Sequence, residues 1–460
     1  MSQEANEIKE NRMGTAPVHS LLIKMSLPVM ASMIVQALYN VVDSIFVSRV
    51  GEKALAAVSY CFPIQSLMIA FGIGTAVGMS ALLSRFLGAK QFDRVNRIAQ
   101  NGMFLEAMNF VLFFIIGLFS HQFLSIQTSD ALTIQYGEQY MSIVTMLSFG
   151  VFAQILVERF LQASGKTFYI MFVQGIGAVI NIIMDPILIF GLLGFPKLGV
   201  AGAAYATVLG QIIGAIIGIV INQRKNHEIP ISLKNFRVSL TDIKDIYKIG
   251  LPSIVMQSIG SVMVFSFNKI LSGFGALAIT AVATFGAYFK LQSFIFMPVF
   301  GLNNGVVPII AYNYGARRKD RMLAAMRIGA RYGVTIMTVG MLIFWIFPKV
   351  LLSFFDASDQ MLAIGTVTLR TISVGFPCAG YAIMRGASFQ ALGKSIYSMY
   401  ISIARQLMVL IPAGFLLARL GNINLVWLAF PIAEVVGITM SILFTRKIKR
   451  EIIEPIGAEM

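Results

Sequence analysis

Asp185 stands inside the apolar stretch "INIIMDPILIFG", residues 180 to 191, with Pro186 after it and Asn181 four residues before it. Spacing of i, i+4 puts Asn181 and Asp185 on one helical face, with Gln174 on roughly the same stripe. A second carboxylate, Asp43, lies in "VQALYNVVDSIFVSRVG", where Gln36, Tyr39, Asn40 and Asp43 follow i, i+3, i+4, i+7 spacing. A carboxylate at the centre of a bilayer costs about 2.5–3.5 kcal/mol even on lenient scales, so such acids face a bundle interior or water. Two carboxylates with amide and hydroxyl oxygens suit Na⁺, a hard cation that prefers oxygen ligands, or the uptake of a proton. Pro186 has no N–H, which leaves the Ile182 carbonyl without its helical partner. That carbonyl can serve a ligand or let the helix bend where it faces a cavity, so Pro186 is a candidate hinge.

Further polar side chains accompany the two acids. Thr207, in the small-residue segment "GVAGAAYATVLGQ", offers a hydroxyl to the site or to its own helix backbone. Glu158 is either a cavity acid or the local partner of Arg159. Gln36, Tyr39, Asn40, Gln154 and Glu158 are the expected lining of a substrate cavity, with interhelical hydrogen bonding the competing role for the uncharged ones.

The elements that position these groups follow from composition. Of 460 residues 57% are hydrophobic and 12% charged. Soluble domains carry about 25% charged residues, so the bilayer is the solvent here. A hydrocarbon core needs about 20 apolar residues per helix. Such runs fall near 23–48, 57–86, 99–120, 136–158, 168–192, 200–222, 248–272, 279–311, 325–348, 361–384, 396–418 and 424–445. The fold class is an all-α polytopic membrane protein. Its divisions are an N-terminal tail (1–22), a first lobe (23–222), an inter-lobe loop (223–247), a second lobe (248–445) and a tail (446–460). Lys and Arg crowd the even-numbered loops, as with Arg85, Lys90, Arg94 and Arg97 in the second, while odd-numbered loops are nearly bare. By the positive-inside rule both termini are cytoplasmic. The net charge of +15 is thus a topology signal, and nucleic-acid binding is excluded as its cause. The first twenty residues contain no apolar core of a cleaved signal peptide.

The chain repeats itself. "LGAKQFDRVNRIAQNG" is answered by "YGARRKDRMLAAMRIG", and "LQASGKTFYIMF" by "FQALGKSIYSMY", while Leu27 and Pro28 match Leu251 and Pro252. The offset barely drifts between these matches, so a whole six-span unit is duplicated. Six spans per copy give both copies one orientation and a pseudo-twofold axis along the membrane normal. "SGKT" at Ser164–Thr167 mimics a phosphate-binding loop, but the first Gly of that motif falls at Phe160 and no strand precedes it, so it reads as a turn. Cys61 and Cys378 read as small buried hydrophobes, and His19, His121 and His227 are too scattered for zinc. No HExxH or paired-His constellation marks a membrane-embedded enzyme, and the protein is expected not to be one. At the positions of Asp43 and Asp185 the second copy has Phe267 and Ala413. Of its own charges, Lys290 and Glu434 read as deep, whereas several of the others, Lys269, Arg370, Arg385 and Arg405, lie near span ends, where snorkelling to the interface is the default.

Six segments in order, "SLPVMASMIVQALYNVVDSIFVSRVG", "SRFLGAKQ", "ERFLQASGK", "NIIMDPILIFG", "GVAGAAYAT" and "PIIAYNYGAR", resemble the multidrug and toxic compound extrusion (MATE) family across all twelve spans. The resemblance implies two six-helix lobes in a V and alternating access. It also implies export of amphipathic, often cationic compounds against inward Na⁺ or H⁺. The likeness is to the DinF-like branch, in which Asp43, Asn181, Asp185 and Thr207 match cation-site positions and Gln36 and Tyr39 match cavity positions. Glu158 matches an acid of some Gram-positive drug exporters in the family. The NorM-type branch also uses acids in its second lobe, and this chain has none in its seventh or tenth span. The expectations are a monomer in the plasma (inner) membrane with no cofactor beyond the coupling ion and no ATPase subunit. The runner-up is a flippase for lipid-linked oligosaccharides or other lipids.

Overall fold

The structure is a computed structural model that describes residues 11–456 except 233, 235, 356 and 357; the side chains of residues 40, 41, 44 and 52 also lie outside the described set. In hydrocarbon every backbone polar group needs an internal partner, which the helix supplies within one segment. The first half contains α1 (Val18–Ser48), α2 (Glu52–Gly88), α3 (Phe92–Leu118), α4 (Ala131–Met146), α5 (Phe149–Ala163), α6 (Phe168–Phe190) and α7 (Val200–Lys225). The second half contains α8 (Leu240–Leu271), α9 (Ala278–Gly315), α10 (Lys319–Ile346), α11 (Asp359–Ser373), α12 (Phe376–Ala391), α13 (Ser395–Ala418) and α14 (Ala429–Ile448). Among the described residues ten helices are long and apolar enough to cross a membrane, or up to twelve spans when each of two bent pairs counts once.

The bends depart from the expected straight fourth and tenth spans. α4 meets α5 at 43° and α11 meets α12 at 46°. Pro377 lies in the first turn of α12, where its missing N–H costs nothing. In the first half Gly150 brings α5 onto α7, since a Cβ there would stand 2.7 Å from Ile212 Cγ1. Apolar periodicity continues through both breaks, so it does not reveal them.

Duplication extends to local detail. A side-chain oxygen caps the start of the first helix in each bent pair, satisfying an amide that the helix itself leaves free. Asp130 caps α4 by accepting from Thr133 N at 2.9 Å. Ser358 caps α11 by accepting from Met361 N at 3.2 Å. Lys53 Nζ also reaches Asp130 at 2.7 Å, and this pair together with the cap holds the Asp130 carboxyl down at about 2. Gly165 takes a φ of +78° and Gly393 one of +74°, in the turns that follow α5 and α12. Left-handed turns of this kind end helices and favour glycine. That conformation, and not a phosphate cradle, accounts for the glycines of "SGKT" and "LGKS".

The halves meet through matched close approaches on the side of the basic loops. A Cβ on Gly88 would lie 1.9 Å from the Tyr312 carbonyl oxygen, and one on Gly315, its repeat-mate, 1.8 Å from that of Arg85. Gly74 faces Ile254 and Gly301 faces Met30; Gly78 faces Ile246 and Gly250, and Gly305 faces Ser26. Each contact recurs with the halves exchanged, as an isologous twofold interface requires. Over this closure lies an N-terminal hook. Met13 is fully buried, Asn11 Nδ2 donates to Glu228 Oε1 at 2.8 Å, and Asn313 Nδ2 donates to the Met13 carbonyl at 3.0 Å. Met13→Ala is expected to cost roughly 2–5 kcal/mol locally. Limited proteolysis should then cut near residue 16 faster than in the wild type, and an unchanged rate would deny the hook its role.

Candidate functional site

The acid pair is assembled by α1, α6 and α7. Small residues bring α6 and α7 together, for a Cβ on Gly210 would stand 2.6 Å from the Gly177 carbonyl oxygen. One turn further along, Asn181 meets Thr207. With its amide oriented so that both ends are satisfied, Asn181 Nδ2 donates to Asp185 Oδ2 at 3.2 Å. Its Oδ1 then accepts from Thr207 Oγ1 at 3.2 Å and from Thr207 N at 3.1 Å. Asp185 is fully buried, Asn181 is 2% exposed, and the half-buried Asp43 on α1 lies within direct interaction range of Asp185. Asp43 Oδ1 and Asp185 Oδ1 are both buried without a hydrogen-bond partner. Buried acceptors so placed are costly unless a ligand or proton joins them. Tyr39, one turn before Asp43 on α1, lies near both carboxyls.

Next to this pair, reached through Asn181 and Thr207, a cavity of about 220 Å³ lies between α1, α5, α6 and α7, lined also by Gln36, Tyr39, Gln154 and Glu158 among others. Glu158 stands at its other end and accepts from Gln154 Nε2 at 2.9 Å and Gln174 Nε2 at 2.8 Å. Arg159 turns instead to Gln162 Oε1 at 2.6 Å and to Asn304 Oδ1 of α9 at 3.0 Å, joining the two halves. The expected site residues with described side chains are therefore placed in or beside one polar tract, Pro186 bordering it only through Asp185. The side chain of Asn40 lies outside the described set. α6 runs through Pro186 as one continuous helix.

Some members of the tract are not among the residues that spacing singles out. Tyr140 on α4 lies near Asp43 and accepts from Gln65 Nε2 at 3.2 Å. That neighbourhood is tertiary, and no local spacing encodes it. Glu106, 2% exposed on α3, accepts from Asn109 Nδ2 at 3.1 Å, and Asn109 also reaches Thr75 Oγ1 at 3.3 Å. For Glu106 the sequence does contain a signal, an acid within the third span with an amide three residues on.

The second half is filled where the first is polar. Phe267, at the position of Asp43, is fully buried and stacks on Phe285 at 5.3 Å and edge-on to Phe430 at 4.8 Å. One expectation is corrected here. Lys290 is exposed, with its ammonium 5.9 Å from the Phe355 ring. Arg405 does not snorkel: its Nη1 donates to Glu434 Oε1 at 2.7 Å, since a carboxylate lies within reach inside the bundle. Cys61 is buried as expected, whereas Cys378 is partly exposed, and both are free. Among the described residues no group of three or more His, Cys, Asp or Glu is arranged to hold a metal.

The MatE family model matches residues 28–187 and again 252–416, one match per half. The chain belongs to the MATE family. It is 28% identical over 422 residues to the multidrug export protein MepA of Staphylococcus haemolyticus, covering 91% of each chain. It is 24% identical over 429 residues to the FAD transporter of Shewanella oneidensis, covering 91% of this chain and 92% of that one. In fold it is similar to a solved multidrug resistance MATE family transporter of the MOP superfamily in an outward-facing conformation. That likeness has a TM-score of 0.90 at 24% identity and covers 97% of this chain and 98% of that one. The two-lobe MATE architecture and the apolar spans make this a multi-pass membrane protein of a transporter family. Thr207→Val, which removes the hydroxyl that donates to Asn181, is expected to lower stability by about 1 kcal/mol. Thermal denaturation checks this, and an unaltered melting temperature would show that the contact contributes nothing.

Proposed function

We propose that this protein is a secondary active multidrug exporter, moving amphipathic and cationic compounds outward against inward Na⁺ or H⁺ by alternating access. The observation that carries the reading is the facing pair Asp43 and Asp185, with unpartnered oxygens, beside a cavity that also holds Glu158. Two unit charges about 4 Å apart repel by about 4 kcal/mol at an effective dielectric of about 20. A pair so strained takes up whichever cation arrives, a coupling ion or the ammonium group of a substrate. Na⁺ bound by Asp43, Asn181, Asp185 and Thr207, or a proton on a carboxylate, removes the attraction for a cationic substrate held near Glu158 and Gln36. Each ligand must prefer a different state of the protein, or neither shifts the equilibrium.

The lobes 23–222 and 248–445 rock about the glycine-lined closure, with Pro186 as the hinge within α6. Both termini and the basic loops face the cytoplasm of a cell whose plasma membrane holds the protein as a monomer, with no ATPase subunit. The name of the Shewanella relative supports a second reading, an anionic aromatic substrate. The test is efflux of ethidium and, separately, of FAD from proteoliposomes under an imposed Na⁺ or pH gradient. The first reading expects ethidium efflux accelerated by one gradient. FAD efflux without ethidium efflux would establish the second, and neither, in folded protein, would turn attention to lipid flipping.

A further inference from the structure

The repeat places an ion pair in the second lobe where the first has Thr207 and the α6–α7 glycine crossing beside it. At the repeat offset Thr207 corresponds to Glu434, Gly210 to Gly437 and Gly177 to Arg405. The contacts agree with that correspondence. Gly177 and Gly210 touch backbone to backbone on α6 and α7, and on α13 and α14 a Cβ on Gly437 would lie 3.1 Å from Arg405 Cδ. Where the first lobe has no side chain at this crossing, the second places a guanidinium, and where the first offers a hydroxyl the second offers a carboxylate.

Arg405 and Gln406 sit on a π-helical turn, Ile403–Leu410. Distortions of this kind recur at functional sites. Arg405 Nη1 donates to Glu434 Oε1 at 2.7 Å, and the two side chains are 22% and 17% exposed. They line a cavity of about 70 Å³ together with Tyr288, Gln292, Gln406 and Phe430. Two oxygens around it, Glu434 Oε2 and Gln292 Oε1, are buried without a partner. In this mostly apolar pocket the Glu434 carboxylate and the Gln292 side-chain oxygen are acceptors for a cation, and the Arg405 guanidinium already occupies the carboxylate.

We propose that the Arg405 guanidinium is a tethered cation filling a second-lobe pocket, and that removing it uncovers a binding site for Na⁺ or another small monovalent cation. A guanidinium does not deprotonate in proteins, and its covalent tether keeps it at the carboxylate whatever the concentration of free ions. The pocket's positive charge therefore stays in place through the transport cycle, and only the first lobe answers an ion gradient. That last consequence rests on the coupling reading above, whereas the pocket itself does not.

The test counts bound radiolabelled Na⁺ per purified chain. Arg405→Ala is expected to bind one more Na⁺ than the wild type, with Arg405→Gln doing the same while filling more of the volume. The gain should vanish in the double variant Arg405→Ala/Glu434→Gln and be absent in Arg405→Lys, which keeps a tethered charge. A folded Arg405→Gln chain that binds no more Na⁺ than the wild type would overturn the proposal, as would a gain that survives Glu434→Gln. Asp185→Asn in the same assay reports the first lobe separately. Equal counts in wild type and Asp185→Asn would sink the first-lobe Na⁺ site and leave the Arg405 difference intact.

Discussion

Asp185→Asn is expected to lower gradient-driven efflux of a cationic dye at least tenfold and to abolish its dependence on the gradient. The substitution keeps the shape and an oxygen able to accept from Asn181, so what it removes is charge. Asp185 is fully buried and faces Asp43, so one neutral partner relieves the repulsion that recruits a cation. Thermal stability should therefore hold or rise while transport falls, a split that separates loss of function from loss of fold. Asp185→Asn exporting at more than half the wild-type rate, with the gradient still effective, would remove Asp185 from coupling.

Gly315→Val should nearly abolish transport by a different route. A Cβ at this position would lie 1.8 Å from the Arg85 carbonyl oxygen, and the obstacle is backbone that has no rotamer to change. Closure on the basic-loop side should lose about 3 kcal/mol or more, the upper end of overpacking costs. That shifts the balance between open and closed forms by about a hundredfold. Spin labels on the two lobes near residues 90 and 317 should report a longer distance in Gly315→Val than in wild type. An unchanged distance with normal export would mean that this crossing does not govern the transition.

The parts of the fold that composition and period encode were legible. The apolar runs became the described spans, and a repeat read from short motifs reappears as matched glycine contacts and matched caps. The two bends were not legible, because apolar patterning is continuous across 147–148 and 374–375. For the site, residues sharing one helix face were readable: Gln36 and Tyr39 on α1 and Asn181 on α6 line one cavity, and Asp185 joins Asn181 with Asp43 beside it. What needed the structure was partnership between helices. Tyr140 comes near Asp43 across the bundle, and Arg405 finds Glu434 on the neighbouring helix; single-span spacing carries neither. Snorkelling assigned by distance from a span end fails wherever a buried carboxylate is the nearer solvent for a guanidinium.

The claim at the centre is that the coupling ion and a cationic substrate compete for the charge of one acid pair. Equilibrium binding of ethidium to purified protein, followed by fluorescence anisotropy while Na⁺ or H⁺ is raised, tests it most directly. The account predicts an apparent Kd that climbs with the coupling ion in the wild type and stays flat in Asp185→Asn. An ethidium Kd in the wild type indifferent to both ions would contradict it.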